Sequence, residues 1–272
     1  MVWARVSPAA RRRMGRRIPS RARRAAISVL SPLVTASIVL LGWELIVRLG
    51  SYQVFVLPRP GVVWNRAREL LADGTLVTNG WATMREAGIG FAIAFAIALP
   101  LGYLLAHVPL LERLAAPMIA ASQAVPIIAL APLLYLWLSN GMMPKIAAAA
   151  LVVVFPLLVT TITGIRGVAK EYHEVARVFG AHWWERVFLV EIPLAAPVLL
   201  GGIKLGFTLS LTGAVVGEFL GADQGLGFLL NYYQANLDTP ALFATLLALG
   251  VIGITLYSCV SLLERIVSTW EG

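Results

Sequence analysis

Cysteine is almost absent from this 272-residue chain: Cys259 stands alone, so no internal disulfide can form. Histidine is nearly as scarce. His107, His173 and His182 are scattered and have no cysteine beside them, which removes the ligand clusters that hold zinc. His173 and Glu174 open a fragment like the metalloprotease pattern His-Glu-x-x-His, but Arg177 occupies the place of the second imidazole. No Gly-x-x-x-x-Gly-Lys-Ser/Thr cradle exists either. The nearest glycine cluster, residues 221–227, lacks the lysine, so the chain is not expected to bind and split ATP through such a loop. A Gly-x-Ser-x-Gly nucleophile turn is missing too. The largest shortage is of charge, at 13% of residues against 59% hydrophobic. A soluble domain of this length needs far more polar surface, so the surplus apolar area must face lipid.

What is present is a series of apolar runs, each long enough to cross a bilayer as a helix of about 20 residues. They cover residues 25–49, 87–106, 114–138, 146–168, 195–217 and 242–263. Strand-like alternation is lacking, and the expected fold class is an all-α integral membrane protein with about six transmembrane helices. Pro117, Pro126 and Pro132 interrupt the third run, and Lys204 sits inside the fifth.

The net charge of +8 could suggest nucleic acid, but its placement points to the membrane. Nine arginines precede the first run, among them Arg11, Arg12, Arg13, Arg16 and Arg17. Lys and Arg near span ends bias a segment to the cytoplasm, which puts the N-terminus there and, after an even number of spans, the C-terminus as well. Arg113, Arg166, Lys170, Arg177 and Arg186 agree, and the loop carrying Glu218, Asp223 and Asp238 holds no Lys or Arg. Arg59, Arg66, Arg68 and Arg85 run against the rule, but the internal count is larger. The expected organisation is an unstructured basic cytoplasmic tail over residues 1–25, which touches anionic lipid. A first span with an external amphipathic segment follows over 26–79, with a helix at 62–71. The remaining bundle covers 80–265.

One loop, residues 167–193, differs from all others. It mixes Lys170, Glu171, Glu174, Arg177, Glu185 and Arg186 with Phe179, Trp183, Trp184 and Phe188, and Gly180 interrupts its helical periodicity. It reads as two short helices meeting at a glycine, either an interfacial segment anchored by its tryptophans or a docking knuckle. Elsewhere Gly202 and Gly206, and Gly213, Gly217 and Gly221, recur at helical spacing, which favours close packing of helices inside the chain over a seam between copies.

From Glu174 the chain reads Glu-Val-Ala-Arg-Val-Phe-Gly-Ala-His-Trp-Trp-Glu-Arg-Val-Phe-Leu-Val-Glu-Ile-Pro. This resembles the signature of ATP-binding cassette importer permeases: Glu-Ala-Ala, three residues, Gly, nine residues, Ile-x-Leu-Pro. Glu174, Ala176, Gly180, Val190, Ile192 and Pro193 stand in register, with Val175, Val190 and Ile192 as mild apolar departures. The resemblance extends from Leu57-Pro58-Arg59-Pro60 to the C-terminal Leu-Leu-Glu-Arg and is to the nitrate, sulfonate and taurine type. It implies a type I importer transmembrane domain (MetI-like) in a bacterial inner membrane. It also implies a homodimer of permeases, two cytoplasmic ATPase subunits that bind ATP and magnesium, and an extracytoplasmic binding protein. This chain itself would carry no cofactor and no enzymatic activity.

On that resemblance each matched residue acquires an expected role. Gly180 takes a left-handed cap that bends the loop. Glu174 offers its charge to the ATPase or pairs with Arg177, Ala176 belongs to the docking helix, and Pro193 ends the second short helix. Phe179, Trp183 and Trp184 anchor in a groove of the partner. Three further residues are weighed for the pathway. Lys204 is expected to pack or snorkel rather than gate, Glu218 either lines the path or is solvated, and Gln123, beside Ser122, is expected to bond a neighbouring helix. The segments Ser122-Gln123-Ala124-Val125-Pro126, Val216-Gly217-Glu218-Phe219-Leu220-Gly221 and Leu237-Asp238-Thr239-Pro240 look more like permeases for thiamine pyrimidine precursors or riboflavin than for sulfonates. A secondary transporter is the competing class, and it would call for acidic residues buried in mid-span. Apart from Lys204 and the borderline Glu44, the sequence places no charge there.

Overall fold

A computed structural model describes residues 21–50, 52–139 and 141–268, with side chains among them from 34 to 262. The basic segment 1–20 lies outside the described residues. By its internal contacts the chain divides into a unit up to Pro60 and a unit from Gly61 onward. The first is built on α1 (Arg21–Gly50), which starts four residues ahead of the apolar run. Ile38, Val39, Leu41, Leu45 and Leu49 are all exposed along it, as befits a helix with lipid for solvent.

The second unit opens with α2 (Pro60–Ala72) and α3 (Thr75–His107). Next come α4 (Pro109–Ala124), α5 (Ile127–Leu138), α6 (Met143–Arg166) and α7 (Lys170–Val178). The short α8 (Trp183–Glu185) runs through an i→i+5 turn (Arg186–Glu191) into α9 (Ile192–Gly221). Two helices close the chain, α10 (Leu226–Ala235) and α11 (Thr239–Ser268). Among the described residues four helices are long and apolar enough to cross a membrane: α3, α6, the continuous stretch Trp183–Gly221, and α11.

The third apolar run is not a straight span. It breaks at Val125–Pro126 into α4 and α5, which meet at 96°. Pro117 and Pro132 stay inside their helices; only Pro126 marks a break. The difference lies in the residue before each proline. Ala116 and Ala131 remain helical, whereas the β-branched Val125 takes extended backbone (φ −85°, ψ 115°).

The core is a three-helix stack in which α6 lies between α3 and α9. Phe91 of α3 stacks on Phe207 of α9 at 3.8 Å between centroids, and Ala94, Ala98, Val153 and Leu157 fill the space around them. The glycine stripe on α9 is used inside the protomer. A Cβ on Gly213 would lie 2.7 Å from the Ala149 Cα, and one on Gly217 would lie 2.8 Å from the Lys145 Cα. Helix backbones come this close only where no side chain intervenes. Lys204, half-buried, sets its Nζ 4.9 Å above the Tyr257 ring of α11.

Candidate functional site

The 167–193 segment folds from local rules. Helix α7 ends in a Schellman cap: Ala181 N–H donates to the Ala176 carbonyl and Gly180 N–H to the Arg177 carbonyl, both at 3.0 Å. That geometry puts Gly180 at φ +72°, in the left-handed region that glycine occupies without penalty. His182 then caps α8, its N–H donating to the Glu185 carboxylate at 2.6 Å. The expected pair of short helices is corrected on one side: α7 is short, but the second arm is the start of the continuous 39-residue stretch Trp183–Gly221. Pro193 ends nothing. It lies in the first turn of α9, and the wide turn before it, closed by Ile192 N–H to the Val187 carbonyl, absorbs the donor that proline lacks.

The knuckle so formed brings Glu174, Ala176, Arg177, Phe179, Gly180, Trp183 and Trp184 together, and its apolar residues point away from the core. Val178 and Phe179 are each 85% exposed, and Tyr172, Val175, Trp183 and Trp184 are exposed as well. Ala176 faces inward and is buried. Glu174 and Arg177 are both exposed, and among the described residues they make no ion pair with each other, so Glu174 presents a free carboxylate.

What holds the knuckle to the bundle was not foreseen. Glu191, 6% exposed, stands at the foot of α9 between two imidazoles. His173 of α7 approaches Oε1 through Nδ1 at 3.4 Å, and His107, the last residue of α3, approaches Oε2 through Nε2 at 3.3 Å. The Tyr103 ring lies against His107, 4.3 Å between centroids. Beside it Arg166, at the end of α6, donates to the carbonyls of Leu105 and Ala106 and pairs with Glu112 of α4. In the sequence Glu191 is one more charge of a polar loop; the only signal was its place two residues before the signature proline.

At the opposite end of the same three helices lies a second polar cluster that composition concealed. Lys145 Nζ of α6 sits 2.9 Å from Glu86 Oε1 of α3, with side chains 2% and 0% exposed. The Glu218 carboxyl group of α9 lies beside Glu86 and accepts the Gly227 N–H at 2.6 Å. Asn79 and Thr83 of α3 take the neighbouring donors, from Gly225 at 2.7 Å and Leu226 at 2.9 Å. Glu218 is therefore neither solvated nor exposed to an open path: it is buried and pins the α9–α10 turn. Buried acidic residues do exist, contrary to expectation, but they serve a closed ion-pair network.

Gln123 is the one pathway candidate that faces open space. It lines a cavity of about 460 Å³ at the α4–α5 elbow, and also a second one shared with Glu112 and Ile119. Lys204 and Glu218 are not part of that cavity, and by the helical rise they stand about 21 Å apart along α9.

Comparison with known proteins agrees with this arrangement. Residues 98–270 match the family model described as binding-protein-dependent transport system inner membrane component. A riboflavin transport system permease protein of Chloroflexus aurantiacus is 44% identical over 88% of this chain and 89% of its own length. A formylaminopyrimidine transport permease protein of Halalkalibacterium halodurans is 30% identical over 89% and 96%. A putative aliphatic sulfonates transport permease protein of Bacillus subtilis is also 30% identical, over 88% and 87%. Among solved structures, the membrane subunit of the MetNI methionine ABC transporter superposes with a TM-score of 0.62 over 71% of this chain and 96% of that one, at 18% identity, which shows the fold. A secondary transporter is thereby set aside. The chain belongs to the binding-protein-dependent inner membrane component family: it is a multi-pass ABC importer permease, whose ATP is hydrolysed by a separate subunit and whose solute arrives on a binding protein.

Proposed function

We propose that the chain acts as a homodimer that imports riboflavin or a thiamine pyrimidine precursor, and that the α7–Gly180–α8 knuckle is the joint gripped by the ATPase. Two ATPase subunits, each holding ATP and magnesium, dock one on each knuckle from the cytoplasm, where the positive-inside pattern also puts both termini. The observation that carries the coupling reading is the outward display of Val178 and Phe179, 85% exposed, on a capped and anchored turn. Exposed aromatics of this kind serve as anchors when they fill a pocket in a partner. Glu174 and Arg177 supply charges at the rim, and Trp183 and Trp184 widen the apolar contact. The substrate reading is supported by the 44% identity to a permease named for riboflavin and by the further relative named for formylaminopyrimidine.

Force on the knuckle has a defined route. Displacing α7 pulls Glu191 through His173, and Glu191 is part of the helix that continues into α9. His107 carries the same displacement to α3. Replacing Gly180 by valine should abolish uptake while leaving membrane insertion intact, because the left-handed conformation costs a β-branched residue roughly 1–2 kcal/mol and the knuckle relaxes to another shape. Normal uptake by Gly180→Val, with the ATPase still co-purifying, would count against the joint. Disulfide trapping between Phe179→Cys and single cysteines on the ATPase surface tests the docking directly.

A further inference from the structure

We propose that the cavity at the α4–α5 elbow is a transit site for an uncharged, planar heterocycle that bears N–H donors, with Gln123 as its specificity-determining residue. The cavity lies about half-way along the apolar helices α6 and α9, at the Val152–Pro156 stretch of the one and Leu209 of the other, the position of mid-span in a crossing helix. At such depth a backbone that leaves the helix is tolerated only where protein covers it or where it lines an aqueous space. The elbow breaks the helix at Val125–Pro126, so the last carbonyls of α4 have no helical partner, and Val125 itself lines the cavity. Pro156 lacks the N–H that the Val152 carbonyl would otherwise receive, and both residues line the same wall. Ser122 donates its hydroxyl hydrogen back to the Ile119 carbonyl at 2.7 Å, which leaves only its lone pairs to the cavity.

The wall is therefore mainly apolar, with the Ser122 hydroxyl oxygen and the Gln123 amide as its polar side-chain groups, an aromatic ring at Phe155, and no charged side chain. A flat solute with amino or imide N–H groups can donate to the Gln123 amide oxygen and the Ser122 oxygen and pack on Phe155. A sulfonate brings a full negative charge and only acceptors, and meets neither a cation nor a donor beyond one amide. The cavity volume suits a small flat molecule. This inference rests on the substrate reading above, since it explains how the permease itself favours such a solute after the binding protein has released it.

The test uses the transporter assembled with its ATPase and binding protein in proteoliposomes. Gln123→Cys, in a Cys259→Ser background that leaves no other thiol, is labelled with neutral methyl methanethiosulfonate and with its anionic sulfonatoethyl analogue. Labelling by the neutral reagent should be faster by more than about tenfold, after correction for reactivity with free thiol. Saturating riboflavin during turnover should slow it. Equal corrected rates, or no labelling because lipid or a second copy fills the space, overturn the proposal. In parallel Gln123→Met should lower uptake of radiolabelled riboflavin or formylaminopyrimidine by about tenfold at matched amounts of assembled transporter, and unchanged uptake also overturns it. The wild type separates the two levels. If it takes up ethanesulfonate and neither heterocycle, the substrate reading falls and this site with it; if it takes up a heterocycle while the labelling shows no preference, only the site falls.

Discussion

Removing one member of the buried Glu86–Lys145 pair should damage the protein more than almost any other single polar substitution. The pair is 2.9 Å apart with side chains at most 2% exposed, so neither charge can turn to water when its partner is lost. Breaking such a pair costs about 3–5 kcal/mol, mostly as the penalty on the charge left behind. For a chain of this size about 1 kcal/mol moves the midpoint by roughly 2–4 °C, so Glu86→Gln and Lys145→Met should each lower it by roughly 6–20 °C. The double variant Glu86→Gln/Lys145→Met should recover most of that loss, because no uncompensated charge remains of the pair. Glu218→Gln provides the contrast. Its amide oxygen can still accept the Gly227 N–H and no charge is left without its counter-ion, so its effect should stay within about 1 kcal/mol. The assay is intrinsic tryptophan fluorescence on heating in nanodiscs, with uptake as a second reading. A Glu86→Gln variant that melts with the wild type, or a double variant as unstable as either single, would refute the reasoning.

Three other perturbations separate further claims. At Gly180 nothing lies within 4 Å of a Cβ, so the penalty is conformational alone, and Gly180→Asn should retain uptake where Gly180→Val does not. Gly213→Ala puts a methyl group 2.7 Å from the Ala149 Cα, which forces α6 and α9 apart and should cost about 1–3 kcal/mol by the same melting assay. Asp73 accepts the Thr75 N–H at 2.9 Å at the start of α3, and this bond holds its carboxyl below the usual aspartate range. A depressed acid stabilises the fold above its unfolded pKa, and the contribution disappears as pH falls through the lower folded value. Stability measured downward from pH 5 should therefore fall less in Asp73→Ala than in the wild type.

The parts of this molecule that sequence discloses are those written in one-dimensional period or spacing. Apolar runs marked the spans because lipid requires continuous hydrophobic length, and the signature from Glu174 to Pro193 marked the knuckle because its cap needs a glycine at one fixed offset from the helix end. The break of the third run was visible as three prolines, but not which of them would act; that depended on the β-branched Val125 before Pro126. The charge network was invisible for a different reason. Glu86 and Lys145 each lie just before an apolar run and Glu218 just after a third, so each looked interfacial on its own. Only their convergence from three helices makes them buried. Glu191 was hidden likewise, since its partners His107 and His173 come from helices that the chain order keeps far apart.

Those two hidden clusters together bear on how force crosses the membrane. The pair Glu86–Lys145, with Glu218, ties α3, α6 and α9 at one end, and Glu191 with His107 and His173 ties α3 and α9 to the knuckle at the other. Between them the three helices are joined by close backbone contact and by the Phe91–Phe207 stack with its surrounding aliphatic core. A set of helices joined at both ends and along its length moves as one body. The α4–α5 pair is built the other way: it packs against that body but bends by 96° at a proline, and its elbow leaves backbone groups without helical partners. On the proposed coupling, a push on Phe179 would pass along α9 and α3, and the bent elbow beside Gln123 is where the bundle would change shape in response. Cross-linking α3 to α9 at mid-depth should for this reason leave uptake intact, whereas a cross-link that fixes α4 to α5 across Val125 and Pro126 should stop it. Uptake that survives the elbow cross-link would mean that the path opens elsewhere.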